Sequence, residues 1–210
     1  MPKVSIIVPC YNEQEALPLF YREITRVASD MSPVEFELLF IDDGSSDNTL
    51  SELRGLAAKD TRVRFLSFSR NFGKEAAMLA GLDAATGDYV ATMDVDLQDP
   101  PALLPELYRA GTEEGCDCAA TRRISRDGEP PIRSFFARLF YKLINRISDA
   151  DIVDGARDYR LMCRRMVNAV LSMREYNRFS KGIFGWVGFK TKWVPFVNID
   201  NYPAEEAVAA

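Results

Sequence analysis

Residues 92–101 have the sequence TMDVDLQDPP, in which three carboxylates and an amide follow a short apolar run and precede two prolines. The run that leads into them is typical of a β-strand. Asp94 and Asp96 are two residues apart, so in an extended chain they share a face, and a turn after Met93 would direct both carboxylates toward one point. The prolines suit the start of a helix. We therefore predict a strand end that carries acidic side chains.

The first half of the chain repeats this alternation of short apolar runs and longer amphipathic segments. Strands are predicted at 4–8, 36–41, 63–68, 89–93 and 116–121, and helices at 13–28, 49–58, 74–85 and 102–114. Continuous apolar strands joined by helices indicate a mostly parallel sheet that is covered on both faces. The expected fold class is α/β, a Rossmann-like three-layer sandwich with a mostly parallel central sheet.

Polar clusters follow three of these strands. They are YNE at 11–13, DDGSSD at 42–47 and DVD at 94–96. Ligands of such sheets bind beyond the carboxyl ends of the strands, which is where all three clusters fall. Gly44 and the residues after it also suit a turn and a helix cap. Both interpretations can hold, with Asp42 at the strand tip accepting hydrogen bonds from a base or ribose.

The composition excludes several kinds of chemistry. The 210 residues include no histidine, which removes the commonest general base and every Ser-His or Cys-His nucleophile. A net charge of −5 gives no global support for nucleic-acid binding. The four cysteines match no zinc-site or C-x-x-C spacing, and we expect reduced core thiols in a cytosolic protein. No signal peptide and no spanning apolar run are expected.

The acidic strand end suggests a metal site. Oxygen ligands without histidine favour Mg²⁺ or Mn²⁺, which typically bind one or two carboxylates and the phosphates of a substrate. The predicted ligands are Asp94 and Asp96, with Gln98 as a neutral oxygen donor, and a nucleotide diphosphate is the natural partner. A single D-x-D often reflects only a turn or a cap. Its place among three polar strand ends favours the metal site.

The second half carries a local excess of positive charge. Residues 122–146 contain seven basic and two acidic residues. Within this stretch, apolar residues from Ile132 to Ile147 recur at helical spacing and predict a basic amphipathic helix. Such a helix lies either in a membrane interface or against the sheet with its basic face in solvent, and periodicity does not distinguish the two. Residues 201–210 are expected to be an alanine-rich tail.

Four motifs together resemble the family 2 inverting glycosyltransferases of GT-A fold. The likeness is nearest to the polyprenyl-phosphate branch, which includes dolichyl-phosphate mannose synthases and bactoprenol glucosyltransferases. The motifs are IVPCYNE at 7–13, DDGSSDNT at 42–49, RNFGK at 70–74 and DVDLQDPP at 94–101. The resemblance implies one catalytic domain over 1–200, with a nucleotide-sugar and metal half at 1–101 and an acceptor half at 102–200.

The resemblance also implies roles for individual residues. Metal ligation falls to Asp94, Asp96 and Gln98, and donor binding to Pro9, Tyr11, Glu13, Asp42, Lys74 and Asp94. Residues 158–161, DYRL, resemble a D-[FY]-R-L segment whose acid lies near the acceptor, which makes Asp158 and Arg160 the candidate catalytic residues. Residues 178–182, RFSKG, resemble a segment that supplies cations to phosphate groups. The candidates for the acceptor phosphate are Arg178, Lys181, Arg122, Arg123 and Arg133. A structural ion pair or surface charge is the alternative for these residues.

The implied reaction moves a sugar from a nucleotide diphosphate to polyprenyl or dolichyl phosphate at the cytoplasmic face of a membrane. A UDP-sugar is preferred as donor, with GDP-mannose as the other choice. A phosphate acceptor is already anionic, so it needs nearby cations rather than a general base. The helix at 132–147 would then provide a peripheral membrane contact.

Two alternatives stay open. One is transfer to a saccharide hydroxyl, with Asp158 or Asp154 as base, and the other is a non-catalytic nucleotide-sugar-binding module. Members of the polyprenyl branch commonly continue, after the strand at 188–196, into a basic loop and two membrane-spanning helices. This sequence lacks both features, so a truncation and a natural short form are equally compatible with it. Self-association is also left open.

Overall fold

The computed structural model describes residues 1–124, 153, 155–173, 175 and 178–196. The strands are β1 (Lys3–Cys10), β2 (Glu35–Asp42), β3 (Val63–Ser67), β4 (Tyr89–Thr92), β5 (Cys118–Arg123), β6 (Ala156–Cys163) and β7 (Thr191–Phe196). The helices are α1 (Ala16–Asp30), α2 (Thr49–Lys59), α3 (Lys74–Ala84), α4 (Leu104–Thr112), α5 (Arg164–Ser172) and α6 (Ser180–Trp186), with a 3-10 turn at Pro101–Leu103. None of the described helices is both long and apolar enough to cross a bilayer.

The seven strands form one sheet in the order β3-β2-β1-β4-β6-β5-β7. Strand β6 runs antiparallel to both of its neighbours, and the other described pairings are parallel. The expected α/β fold with a mostly parallel sheet is therefore confirmed. Because β1, β2 and β4 run in the same direction, the polar clusters that follow them meet at one edge of the sheet.

Helices cover both faces of the sheet, which accounts for the apolar character of its strands. In β1, Val4, Ile6 and Val8 pack on the face that α1 and α4 cover, whereas Ile7 points to the face of α3, α5 and α6. Helix α3 lies very close to β1, since a Cβ added to Gly81 would come 2.3 Å from a methyl carbon of Ile7. The missing side chain at Gly81 thus permits the close approach of α3 to β1.

The predicted elements of the first half agree closely with the structure. All five strands and four helices are present, with the helix predicted at 102–114 beginning as the 3-10 turn. Strand β6 was not predicted as a strand, because Arg157, Asp158 and Arg160 interrupt its apolar pattern. The helix predicted at 132–147, with Arg133, and the tail at 201–210 lie outside the described residues. The domain boundary at residue 200 stays a prediction.

Candidate active site

An open cavity of about 330 Å³ lies where β1, β2 and β4 end. Its lining includes Pro9 near the end of β1, Tyr11 and Glu13 after β1, Asp94 and Asp96 after β4, and Lys74 at the start of α3. Five of the six residues predicted to bind the donor therefore line one cavity. Its volume is within the range of small-molecule sites.

Lys74 joins the donor side of this cavity to β6. Its Nζ lies 2.6 Å from Oδ1 of Asp94 and 2.7 Å from Oδ2 of Asp158. Lys181, in the first turn of α6, approaches the other oxygen of Asp158 at 3.8 Å. Asp158 lies in β6, which pairs antiparallel with β4. This pairing brings Asp158 to the cavity at the end of β4. Lys74, Asp94, Asp158 and Lys181, which the sequence analysis took from four separate motifs, thus form one chain of charges.

Burial and neighbouring charges set the ionisation of these groups. The pKa of Glu13 is raised by burial and by the nearby carboxylates of Asp96, Asp47 and Asp94. Burial opposes ionisation of Asp158, but Lys74 and Lys181 outweigh it and lower the pKa of that carboxyl group. Asp158 is therefore held as a carboxylate and is a weak base at neutral pH.

The carboxylates suit a divalent cation that also binds substrate phosphates. Asp94 and Asp96 line the same cavity, and their proximity raises the pKa of Glu13, as expected where negative charge is in excess. Within the described part of the chain, no group of three or more His, Cys, Asp or Glu side chains is arranged to hold a metal without other ligands. Two carboxylates completed by phosphate oxygens is a common arrangement for Mg²⁺ or Mn²⁺.

Gln98, the third predicted ligand, lies just outside this cavity. It is exposed, its N–H donates to Oδ1 of Asp96 at 3.1 Å, and its Oε1 accepts a long hydrogen bond of 3.4 Å from Arg157. Its amide oxygen therefore faces β6. The assignment of Gln98 to the metal stays a prediction.

The loop that carries Asp94 and Asp96 is anchored by an ion pair between buried Asp99 and half-buried Arg157. Nε of Arg157 lies 3.0 and 3.1 Å from the two oxygens of Asp99. Burial raises the pKa of Asp99 to about 6, although Arg157 acts in the opposite direction. Between the carboxylates and this anchor, Leu97 adopts a φ of 58°, a strained value for a branched residue. Sequence analysis missed this role of Arg157. Its position next to Asp158 could have drawn attention to it, but no nearby residue in the sequence indicates that it pairs with Asp99.

The two aspartates at the end of β2, Asp42 in its last position and Asp43 just after it, have different surroundings. Asp42 is 1% exposed, and its oxygens accept hydrogen bonds from the Ser45 N–H at 3.0 Å and the Ser67 hydroxyl at 2.7 Å. Asp43 lines the cavity and accepts hydrogen bonds from the N–H groups of Phe72 and Gly73 at 2.7 and 2.8 Å. Asp43 thus positions the loop before Lys74, a role that sequence analysis missed. The contact of Asp42 with base or ribose stays a prediction.

The turn interpretation of residues 42–49 also holds. The loop after β1 is tied to them by hydrogen bonds from the Asn12 N–H to Ser45 Oγ at 3.0 Å and from the Glu13 N–H to Thr49 Oγ1 at 2.8 Å. A Cβ added to Gly44, whose φ is 69°, would come 2.3 Å from the backbone of Arg70. The same motif therefore builds the wall of the cavity.

Three of the remaining candidates lie elsewhere among the described residues. Arg160 is buried beneath α6, with its guanidinium 3.9 Å from the centre of the Phe184 ring. Arg178 donates hydrogen bonds to the carbonyls of Met173 and Val170 at the end of α5. Arg122 lies near the end of β5, opposite Ala156 of β6. The structure does not bring Arg160 or Arg178 into the acidic cavity.

Residues 5–171 match the protein-family model described as Glycosyl transferase family 2. The chain belongs to this family. One relative of this family 2 chain is CsbB of Bacillus subtilis (strain 168), which is provisionally named a glycosyltransferase. It is 44% identical over 198 residues. The prophage bactoprenol glucosyl transferase homolog of Escherichia coli (strain K12) is 43% identical over 199 residues. These alignments include 94% and 95% of this chain but only 59% and 64% of the relatives' length.

Solved structures confirm the GT-A fold of the family 2 chain. The mannosyltransferase PcManGT from Pyrobaculum calidifontis, in complex with GDP-Man and Mn²⁺, superimposes with a TM-score of 0.63 at 19% identity, covering 99% of this chain and 59% of that one. Glucosyl-3-phosphoglycerate synthase from Mycobacterium tuberculosis, in complex with Mn²⁺, UDP and phosphoglyceric acid, gives 0.63 at 21% identity, covering 99% and 74%. At these identities the likeness concerns the fold alone.

Proposed function

We propose that this family 2 chain transfers a sugar, with inversion, from a nucleotide diphosphate to polyprenyl phosphate. The observation that carries the proposal is the position of Lys74 between Asp94, at the donor cavity, and Asp158. One cation thereby connects the predicted donor and acceptor sides. The identity of 43% over 95% of the chain to a bactoprenol glucosyl transferase homolog supports this acceptor class.

On the donor side, Asp94 and Asp96 would hold Mg²⁺ or Mn²⁺. Such an ion neutralises the charge that grows on a diphosphate leaving group. Lys74 lies beside Asp94 and would add a second positive charge at the same place. Tyr11, which is 47% exposed at the lip of the cavity, would cover the base or the sugar. We propose a UDP-sugar as donor and treat GDP-mannose as the competing choice.

On the acceptor side, the ion pairs that Asp158 forms with Lys74 and Lys181 favour a nucleophile that is already anionic. An oxygen of the lipid phosphate attacks the anomeric carbon, and the bond from that carbon to the diphosphate breaks, so the nucleotide leaves with the electron pair. This step requires no proton to be removed from the nucleophile. Asp158 keeps Lys74 and Lys181 in place beside the cavity, and these cations attract the acceptor. A saccharide hydroxyl would need a base, a role to which an ion-paired Asp158 is poorly suited.

We further propose that the chain acts at the cytoplasmic face of a membrane. The acceptor's hydrocarbon tail requires a membrane or a detergent, and the basic amphipathic sequence at 132–147 suits an interface. That segment lies outside the described residues.

The direct test measures donor binding and transfer on the same preparations. Melting temperatures with UDP or GDP, with and without Mn²⁺, would be followed by transfer from labelled UDP-glucose or GDP-mannose to undecaprenyl phosphate in detergent. We expect Mn²⁺-dependent stabilisation by UDP, about 2.7 kcal/mol at a hundredfold excess over Kd. Asp96→Asn should abolish it.

Asp30→Asn, which makes the same change at an exposed site on α1, is the matched control and should behave as wild type. Transfer to a soluble saccharide but not to the lipid phosphate would overturn the acceptor assignment. If Asp158→Asn then abolished that transfer without weakening UDP binding, Asp158 would be the base of a hydroxyl-directed enzyme.

A further inference from the structure

Helix α6 begins without a capping group of its own. Its N-cap residue, Phe179, forms no side-chain hydrogen bond to the helix, and its first turn contains no acidic residue. The backbone N–H of its first residue, Ser180, therefore needs an acceptor from elsewhere in the fold. Ser180 is only 3% exposed, so water is a poor source of that acceptor.

Glu75 of α3 supplies the acceptor. The two oxygens of its carboxylate accept hydrogen bonds from the Ser180 N–H at 3.2 and 3.1 Å, and the Ser180 hydroxyl donates to the same group. The two residues are 105 positions apart in the chain. Glu75 also lies in the first turn of its own helix. One carboxylate is thus placed at the amino ends of two helices, where negative charge is favourable.

The packing of α6 against the sheet is incomplete. Ile183 and Phe184 are its buried apolar side chains. A cavity of about 170 Å³ lies between the helix and the sheet, with Phe184 on one side and Arg160 and Trp193 on the other. Atoms that line such a space lack contacts on one side. The hydrogen bonds to Glu75 are therefore a main restraint on the position at which α6 begins.

The residues next to Glu75 and Ser180 belong to the chain of charges at the candidate active site. Lys74 precedes Glu75 and Lys181 follows Ser180, and their Nζ atoms lie 2.7 and 3.8 Å from the oxygens of Asp158. Neighbouring positions of α3 thus contact neighbouring positions of α6, once directly and once through Asp158. These contacts close a ring, which restricts the relative movement of the two helices more than a single contact does.

The ring depends on the contact between Glu75 and Ser180, because its two lysines repel each other. Both cations approach the same carboxyl group, and Lys181 forms the longer of the two ion pairs while donating to the Ala156 carbonyl at 3.2 Å. Without Glu75, this repulsion and the incomplete packing beneath α6 both favour movement of Lys181 away from Asp158.

We propose that Glu75 is a positioning residue for sugar transfer, which holds the start of α6 against the start of α3 and so keeps Lys181 beside Asp158. The inference rests on the proposed function, in which Lys74 acts on the donor side and α6 belongs to the acceptor half. Glu75 is not among the described residues that line the donor cavity, so it acts through α6. A displacement of about 1 Å in such a site can cost about 100-fold in rate.

The test compares Glu75→Gln with Asp83→Asn in the full chain. Asp83→Asn makes the same chemical change at an exposed position of α3 and is the matched control. Amide hydrogen exchange, followed by mass spectrometry, reports on α6, and UDP titration with Mn²⁺ reports on the donor cavity. Steady-state transfer from UDP-glucose to undecaprenyl phosphate, well below the melting temperature of each variant, gives kcat and KM.

Glu75→Gln should loosen α6 and slow transfer without weakening donor binding. We expect exchange in α6 to become at least about tenfold faster while exchange in α5 is unchanged. The kcat should fall about 10- to 100-fold, whereas the Kd of UDP with Mn²⁺ should stay within about twofold of wild type. Asp83→Asn should match wild type in all of these quantities.

Ser180→Ala tests the same contact from the other side. It keeps the backbone N–H and removes the hydroxyl, so we expect the same changes at a smaller size. Because the two side chains share one contact, the loss of kcat in the double variant should be smaller than the product of the single losses. Losses that multiply would show that Glu75 acts through another group and would overturn the proposal. If Glu75→Gln does not fold, Ser180→Ala, the milder change, decides the test.

Three other outcomes would also count against the positioning role. Faster exchange in α6 with an unchanged kcat would make Glu75 a structural cap alone, and unchanged exchange would show that it does not hold α6. Weaker UDP binding in Glu75→Gln but not in Ser180→Ala would assign Glu75 to the donor cavity. A wild type that binds UDP without transfer to the lipid would instead overturn the proposed function, while the exchange data would still decide whether Glu75 holds α6.

Discussion

Carboxylates lie close to the core at both ends of the parallel strands. The carboxylate near the amino ends is fully paired, whereas those at the carboxyl ends are not. Near the amino ends, Glu37 is 3% exposed and accepts hydrogen bonds from the Ser5 hydroxyl at 2.5 Å, Arg64 at 2.5 Å and the Thr86 N–H at 3.0 Å. Burial alone would raise the pKa of Glu37, but these donors and Lys3 lower it to about 2. This carboxylate is charged, satisfied and structural.

At the carboxyl ends, Glu13, Asp94 and Asp96 line one cavity, and Lys74, which contacts Asp94 there, is shared with a second acid. Lys74 pairs with Asp94 and also with Asp158, while burial and the neighbouring acids raise the pKa of Glu13. The excess negative charge costs stability in the absence of a cation and is relieved when one binds. Complete pairing thus marks a structural group, and incomplete pairing marks a binding site.

Asp96→Asn should show the largest effect on the carboxyl-end cluster. We expect Mn²⁺-dependent nucleotide binding to fall by more than about 100-fold, because loss of outer-sphere partners alone typically costs about 10- to 100-fold in metal affinity. The melting temperature without ligand should stay the same or rise, since repulsion with Glu13 is relieved. Calorimetric titration and thermal unfolding measure the two quantities. Wild-type metal-dependent binding in this variant would remove Asp96 from the site.

Glu37→Gln should give the opposite outcome at the amino-end cluster. A carboxyl group whose pKa falls from 4.5 to about 2 on folding contributes about 3 kcal/mol. Because the folded pKa is lowered, this contribution is fully present above pH 4.5 and is lost as the pH falls toward 2. Urea unfolding at pH 7 and at pH 3 should show the gap to wild type narrowing at the lower pH.

Glu35→Gln is the matched control for that change, since Glu35 is an exposed residue of the same strand. It should alter stability by less than about 0.5 kcal/mol. A stability gap for Glu37→Gln that did not depend on pH would contradict the electrostatic account of this cluster.

Arg157→Met should weaken the metal site indirectly. It leaves Asp99 without its partner and loosens the loop that carries Asp94 and Asp96, so we expect about 10- to 100-fold weaker Mn²⁺ and nucleotide binding with some loss of stability. Arg62→Met breaks a comparable pair with Asp60, 2.7 Å long, next to β3. Equal losses of metal affinity in the two variants would show that general destabilisation, rather than loop position, is responsible.

Arg178→Met should have the smallest effect. The side chain donates to carbonyls at the end of α5, so we expect about 1 kcal/mol less stability and an unchanged KM for the lipid acceptor. Steady-state kinetics in detergent and urea unfolding measure these two quantities. A raised KM with unchanged stability would instead support the phosphate-binding role that the sequence motif predicts for Arg178.

Sequence analysis located most of the donor cavity because its residues directly follow strands with clear apolar patterns. Asp94 and Asp96 after β4 and Glu13 after β1 could be assigned to one edge once a parallel sheet was predicted. The same reasoning assigned Asp42 to the donor and passed over Asp43, because nothing in the local sequence shows that Asp43 accepts hydrogen bonds from the N–H groups of Phe72 and Gly73. Strand β6 was missed because charged residues with partners in the fold break its pattern.

What the sequence by itself determined is local and periodic: the strands, the helices, the family motifs and the edge at which polar residues gather. The tertiary structure alone decided which distant groups meet. Arg157 pairs with Asp99 across 58 residues of chain, and Arg160 shares a cavity with Trp193 only through the register of β6, β5 and β7. Apolar periodicity is set by the geometry of each element and is visible in a short window. The pairing of charges depends on strand order and register, which no short window contains.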